Sequence, residues 1–138
     1  MWDMIVNYLG ALTISASENL TNCASHGNKA GCPRCKDRSV ADLITEVNAV
    51  LEEGMRRGNP KAQMLVWDWG WLGEAGEVIG RLPKNVSLLS VSEWSKPLQR
   101  GGISASLAEY AISAVGPGPR ALEHWRVAKE NGLQVAAK

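Results

Sequence analysis

The sequence predicts an α/β fold: half of a (β/α)8 barrel with about five parallel strands and three crossover helices in one domain, residues 1–138. Three observations point to it. Short apolar runs alternate with helical patterns, which is typical of strand–helix–strand units with right-handed crossovers. Three of those runs end at a carboxylate, at Glu18, Asp68 and Glu93. The chain has 138 residues, whereas a complete barrel needs roughly 200 or more.

The first strand and the first helix flank a long polar loop. Leu9 to Ser17 is mostly apolar and predicts a strand, while residues 19–35 predict a loop long enough to be functional. A helix then begins after Ser39, an N-cap residue with Asp42 three positions on. Apolar residues recur at helical spacing until Gly58-Asn-Pro60 ends it.

Two strand patterns enclose a short helix in the middle of the chain. Gln63 to Trp67 predicts a buried strand, Glu74 to Arg81 a helix, and Val86 to Val91 another strand. The segment Ser95 to Gly102 is interpreted as loop, and Leu107 to Ala114 as a further strand.

The last helix and strand follow a rigid turn, Gly116-Pro-Gly-Pro119. Pro119 suits a first helical position, so a helix is predicted from about Arg120 to Asn131, followed by a strand from Leu133 to Ala137. A half-barrel exposes the pairing edges and the apolar inner face of its sheet. A two-fold homodimer that covers this face is one expectation. An open, doubly wound sheet covered by its own termini is the other.

Charge and composition indicate which partners and which cellular compartment to expect. The formal net charge is +1 and the basic residues are scattered, so neither nucleic acid nor a membrane is expected as a partner. The start of the chain lacks a secretory pattern and no apolar run reaches a membrane span. We therefore expect a cytoplasmic chain as given, although a longer parent protein could be secreted. Three cysteines, an odd number, favour reduced thiols or a metal site over a disulfide framework.

The strand-end acids Glu18, Asp68 and Glu93 are the candidate catalytic residues. Glycoside cleavage uses one carboxylic acid to protonate the leaving oxygen and one carboxylate as nucleophile or as activator of water, without a cofactor. Parallel strands bring such acids to one rim. Retaining and inverting chemistry both remain open, and each acid could instead be solvated or paired with an arginine such as Arg120.

Indole rings beside these acids are candidate sugar-stacking surfaces. The chain has six Trp, two Tyr and no Phe. The candidate substrate contacts are four rings, with Asn19 and Arg120 beside them: Trp67, Trp69, Trp71 and Trp94. Some of these rings are expected to belong to the core. His124, within the last helix, is expected to be a surface histidine or a satisfied one.

The predicted loop carries four residues of the types that bind zinc. Cys23, His26, Cys32 and Cys35 give the spacing C-x2-H-x5-C-x2-C. Three cysteines and one histidine can close a tetrahedral structural zinc site. A redox-active C-x-x-C pair and simple reduced thiols are the alternatives.

Three segments carry a resemblance to a known family: Ile14-Ser-Ala-Ser-Glu-Asn19, the Cys23 to Cys35 loop, and Trp67-Asp-Trp-Gly-Trp71. Together they resemble the middle-to-late part of the (β/α)8 barrel in little-characterised bacterial glycoside-hydrolase-like proteins, distantly similar to hexosaminidases and glucuronidases. The resemblance implies that Glu18 is catalytic, with Glu93 as its partner, on a small glycoside or oligosaccharide. A non-catalytic carbohydrate-binding or orphan barrel fragment and a zinc-stabilised interaction module are the alternatives.

Overall fold

The computed structural model describes residues 10–15, 22–71, 73–108, 111 and 114–138. Parallel strands alternate with helices, so the α/β class is confirmed. In chain order the elements are β1 (Gly10–Ile14), a 3-10 helix (Ser25–Gly31), α1 (Val40–Gly58), β2 (Gln63–Trp67), α2 (Ala75–Arg81), β3 (Val86–Ser90), β4 (Pro97–Arg100), β5 (Ile103–Ser106), α3 (Pro119–Glu130) and β6 (Gln134–Ala137).

Four strands form a parallel sheet in the order β1-β2-β3-β6. Leu12 lies beside Leu65 in the register, and Leu88 lies between Val66 and Val135. Because all four strands run the same way, their carboxyl ends share one edge. About five parallel strands were predicted, whereas the described residues contain four.

A hairpin precedes the segment in which a further strand was predicted. Residues 95–102 were predicted as loop, but β4 within them pairs antiparallel with β5 through a turn at Gly101 and Gly102. These glycines have φ of 55° and 78°, the left-handed region that a tight two-residue hairpin turn requires. The predicted strand Leu107 to Ala114 is wrong for the described residues in that range, since none of them lies in a strand.

The helices cover one face of the sheet. Met64, Val66 and Leu88 are at most 1% exposed and belong to one core cluster with residues of all three α-helices. Alternate strand residues point to the opposite face, where Leu12 is 53% exposed and Leu65 is half-buried. The core therefore lies between the sheet and the layer formed by these three helices.

Helix α1 begins as its sequence predicts and anchors β1. The Ser39 hydroxyl accepts from the Asp42 N–H at 2.9 Å, while the Asp42 carboxylate accepts from the Ser39 N–H, which completes a capping box. Farther along α1, the buried Asn48 amide accepts from the Thr13 hydroxyl and donates to the Ser15 hydroxyl, both at 2.9 Å. Among the described residues no helix is both long and apolar enough to cross a membrane.

The turn before α3 packs directly on the backbone that follows β3. The Gly118 N–H donates to the Ser92 carbonyl at 2.7 Å. A Cβ atom at Gly116 would clash with the Ser92 carbonyl, and one at Gly118 with the Trp94 carbonyl. Glycine is needed at these two positions because the two backbones touch.

Candidate functional site

Two of the three predicted acids follow neighbouring strands at the carboxyl edge of the sheet. Asp68 comes directly after β2, and Glu93 lies three residues beyond β3. Glu18 and Asn19 lie outside the described residues. The described part of the predicted rim therefore consists of Asp68, Glu93 and their surroundings.

Asp68 forms a buried pair with His124. The Asp68 side chain is fully buried, and its Oδ2 lies 2.6 Å from Nδ1 of His124, which is itself 4% exposed. The other carboxylate oxygen, Oδ1, is buried and accepts no hydrogen bond within the described part of the chain. His124 is thus a buried helix histidine whose Nδ1 has a partner, and not a surface histidine. Because Asp68 is fully buried, its contact with a ligand would run through the imidazole of His124.

Glu93 is held as a carboxylate. Its side chain is 6% exposed, its Oε2 accepts from the Ser92 hydroxyl at 2.8 Å, and its Oε1 accepts from the Ala111 N–H at 2.5 Å. Burial alone would raise the pKa of Glu93, but the hydrogen bonds from Ala111 and Ser92 outweigh it and lower the pKa below its ordinary value. An ionised Glu93 suits the role of nucleophile or base and not that of proton donor.

Three of the candidate indole rings lie in a row, in which Trp69 and Trp94 are stacked and Trp67 is tilted. The rings of Trp69 and Trp94 lie 5.3 Å apart at an interplanar angle of 6°, and Trp67 lies 5.5 Å from Trp69 at 43°. A cation caps each end: the Arg120 guanidinium lies 3.7 Å from the Trp94 ring centre, and the Lys138 ammonium lies 4.2 Å from that of Trp67. Trp67 and Trp69 are only half-buried, so these two rings are the ones that a ligand can reach.

Trp71 does not join this stack. It is 1% exposed and belongs to the hydrophobic core. Gly70, with φ of 82°, turns the chain after β2, so the strand alternation stops before Trp71. The expectation that Trp71 contacts substrate is corrected accordingly, because its ring is enclosed by protein.

Arg120 connects the stack to a cavity beside His124. One guanidinium nitrogen donates to the Trp71 carbonyl at 2.7 Å. Burial lowers the pKa of Arg120, while the negative charges of Asp68 and Glu123 act in the opposite direction. The cavity has a volume of about 290 Å³, and its walls are formed by Gly73, Ala75, Gly76, Arg120, Glu123 and His124.

The predicted cysteine loop brings its three thiols together. Cys23 precedes the 3-10 helix and Cys32 and Cys35 follow it, and their sulfur atoms all lie within 4.8 Å of one another. Hydrogen bonds from the Arg34 backbone, and then from Cys35 and Cys23, lower the pKa of Cys32 to about 7. Hydrogen bonds to Cys32 and Cys35 raise the pKa of Cys23 to about 11. The three thiols thus influence one another's ionisation through hydrogen bonds, and such a cluster could bind a metal ion.

His26 lies within the 3-10 helix between these cysteines. Its side chain is outside the part of the structure that is described, so its predicted role as fourth ligand stays a prediction. The loop is also tied by Lys29, whose ammonium donates to the carbonyls of Lys36 at 2.9 Å and Arg38 at 2.5 Å.

The chain matches no family model, no curated protein and no solved structure. The resemblance read from the sequence therefore stays a prediction. A fold alone does not define a function.

Proposed function

We propose that this chain acts on carbohydrate as a glycoside hydrolase, with a small glycoside or oligosaccharide as substrate. One observation carries the proposal: an ionised Glu93 stands at the carboxyl edge of a parallel sheet next to the Trp69–Trp94 stack. Carboxylates at that edge are where parallel α/β enzymes hold their catalytic groups. Indole faces add flat apolar surface for a sugar ring.

We further propose that the sheet is half of a (β/α)8 barrel. The strand order β1-β2-β3-β6 follows the chain without a reversal, as in a barrel and unlike a doubly wound sheet. The helices cover one face, as they cover the outside of a barrel. The face that carries Leu12 and Leu65 then corresponds to the barrel interior.

The chemistry assigns different roles to the acids. Glu93 serves as nucleophile or as the base that activates water, because its hydrogen bonds keep it ionised. Glu18, from the family resemblance, supplies the proton to the leaving oxygen. Asp68 acts through His124 and does not contact the substrate.

Replacing Glu93 with glutamine tests the proposal. On a panel of nitrophenyl glycosides we expect hydrolysis by the wild type and a loss of at least about a hundredfold in Glu93→Gln and Glu18→Gln. Glu53→Gln is the matched control, because Glu53 is an exposed helix residue paired with Arg57. Equal loss in the control, or full activity in Glu93→Gln, contradicts the assignment.

A second candidate is a carbohydrate-binding barrel fragment without catalysis. Both oxygens of Glu93 already accept hydrogen bonds and the side chain is 6% exposed, an arrangement that also suits an anchor for the segment at Ala111. Wild-type protein that binds oligosaccharides, read from tryptophan fluorescence, but hydrolyses no glycoside would favour this candidate over the enzyme.

A homodimer is proposed to complete the barrel. In the described residues β1 and β6 each pair on one side only, and parallel edges of this kind favour further pairing. Two copies supply eight parallel strands, the number of a closed barrel. We expect light scattering to give twice the mass of the 14.9 kDa chain. A monodisperse monomer at working concentration would remove this part of the proposal.

Zinc is the metal we propose for the cysteine cluster. A tetrahedral site with Zn–S bonds of about 2.3 Å places its sulfurs roughly 3.8 Å apart. The observed limit of 4.8 Å between the three sulfurs is compatible with this after a small closure. Cys23, Cys32 and Cys35 would hold the metal, with His26 as fourth ligand, and a site closed in this way is structural. A module whose interaction surface is stabilised by zinc is the third candidate function.

A further inference from the structure

The cavity beside His124 is separate from the stacked indole rings. Asp68 continues the alternation of Met64 and Val66, so it lies on the helix-covered face of the sheet. The Trp67 ring points to the opposite face of the sheet, where it contacts Trp69, which stacks on Trp94. The cavity therefore lies between the start of α2 and the first turns of α3, with Arg120 bordering both places.

The hydrogen bond between Asp68 and Nδ1 of His124 determines which ring nitrogen of His124 is left for the cavity. A neutral imidazole whose Nδ1–H donates to a carboxylate carries its lone pair on Nε2. Within the described residues Nε2 has no hydrogen-bond partner, although His124 is more than nine-tenths buried and lines the cavity. Nε2 is not one of the fully buried polar atoms that lack a partner, so it is open to the cavity, where a ligand hydroxyl or a water can bind to it.

Arg120 and Glu123 add complementary groups. A guanidinium has five N–H donors, and in the described part of the chain Arg120 makes one hydrogen bond, to the Trp71 carbonyl. Glu123 contributes carboxylate acceptors from the same turn of α3. The cavity thus offers donors from Arg120 and acceptors from both His124 and Glu123.

The charges around the cavity favour a neutral ligand. Asp68 and Glu123 contribute two carboxylates and Arg120 one guanidinium, so these groups do not give the cavity a positive charge and an anion gains little there. The volume of about 290 Å³ lies at the small end of ligand pockets, roughly 300–1,000 Å³. A small molecule with several hydroxyl groups, each able to donate and accept, fits these properties.

We propose that this cavity binds a single neutral sugar ring, with a hydroxyl donating to His124 Nε2 and ring substituents contacting Arg120 and Glu123. The choice of a sugar over another polyol rests on the proposed carbohydrate function. Asp68 is a positioning residue in this site, since it fixes the protonated nitrogen of His124.

Two glycines permit a test that leaves His124 in place. Gly76 lines the cavity on α2, and a Cβ added there meets no atom within 4 Å. Gly76→Leu therefore adds a side chain at the wall of the cavity, and its Cβ meets no neighbouring atom. Gly54→Leu is the matched control, because Gly54 also lies on a helix with nothing within 4 Å and does not line the cavity.

The readout is the imidazole NMR signal of His124 in ¹⁵N-histidine-labelled protein. The chain has two histidines, so the signal is assigned by its loss in His124→Gln. Titration with methyl glycosides of common neutral hexoses is expected to shift it in the wild type and in Gly54→Leu. In Gly76→Leu the shift is expected to disappear. His124→Gln is expected to bind roughly tenfold more weakly by calorimetry, equal to about 1.4 kcal/mol.

Two results overturn the inference: no hexose glycoside shifts the His124 signal, or the shift survives in Gly76→Leu. Failure here is distinguishable from failure of the proposed enzyme. A shift of the His124 signal without hydrolysis of any nitrophenyl glycoside would support the sugar site and contradict the proposed catalysis. Hydrolysis without a shift keeps the enzyme and removes this site.

Discussion

Replacing Cys32 with serine is expected to abolish zinc binding and to loosen the loop that joins β1 to α1. The three clustered sulfurs would lose a member, and a structural zinc site needs four ligands. Zinc bound only by the folded chain adds its binding free energy to stability. In a domain of this size each kcal/mol so lost lowers the melting temperature by roughly 4 °C.

Elemental analysis of protein purified under reducing conditions measures the effect. Wild type is expected to carry stoichiometric zinc, and its melting temperature to fall on addition of a chelator. Asp37→Ser is the control, because Asp37 is exposed in the same loop and is not a candidate ligand. A metal-free wild type, or equal zinc in Cys32→Ser, would exclude the site, and thiol titration would then show whether Cys32 and Cys35 form a disulfide.

Replacing Asp68 with alanine is expected to lower the free energy of unfolding by about 3–5 kcal/mol, since it leaves His124 buried without its partner. The double variant Asp68→Leu/His124→Leu removes both polar groups and is expected to cost less than the sum of the single changes. Urea denaturation of the two single variants, the double variant and the wild type gives the coupling free energy.

An exposed ion pair provides the comparison. Glu53→Ala breaks the pair with Arg57, in which both side chains are more than 60% exposed, and is expected to cost under about 1 kcal/mol. Additive effects of the Asp68 and His124 changes, or a loss no larger than that of Glu53→Ala, would show that the buried pair contributes little.

Local signals in the sequence predicted most of the regular structure. The N-cap Ser39 with Asp42 predicted the start of α1, and the branched apolar runs predicted β2 and β3, because each pattern is complete within a few residues. The hairpin was missed although its signal is present. Gly101-Gly102 between two short runs is a two-residue turn, and the apolar stretch after it was read as the strand instead.

In the candidate site, too, features that lie within a few residues of each other were predicted and long-range contacts were not. The cysteine cluster follows from spacing inside one loop, whereas the Asp68–His124 pair joins residues 56 positions apart that no local pattern connects. One signal could have placed His124: Ala121, His124 and Ala128 recur at helical spacing, and all three are buried. Trp71 is the ring that belongs to the core, and no local pattern distinguished it from the other three, because the turn at Gly70 ends the strand alternation before it.

The contact of Gly118 with the backbone of Ser92 and Trp94 couples two parts of the candidate site mechanically. Two backbone segments are in direct contact here. One carries Glu93, and the other leads into the first turn of α3, which carries Arg120. A displacement of one segment therefore displaces the other, so we expect the two segments to move as one rigid unit and not as an independently mobile loop. Surface loops ordinarily tolerate insertions, but we expect an inserted residue next to Gly116 or Gly118 to break this backbone contact and destabilise the fold.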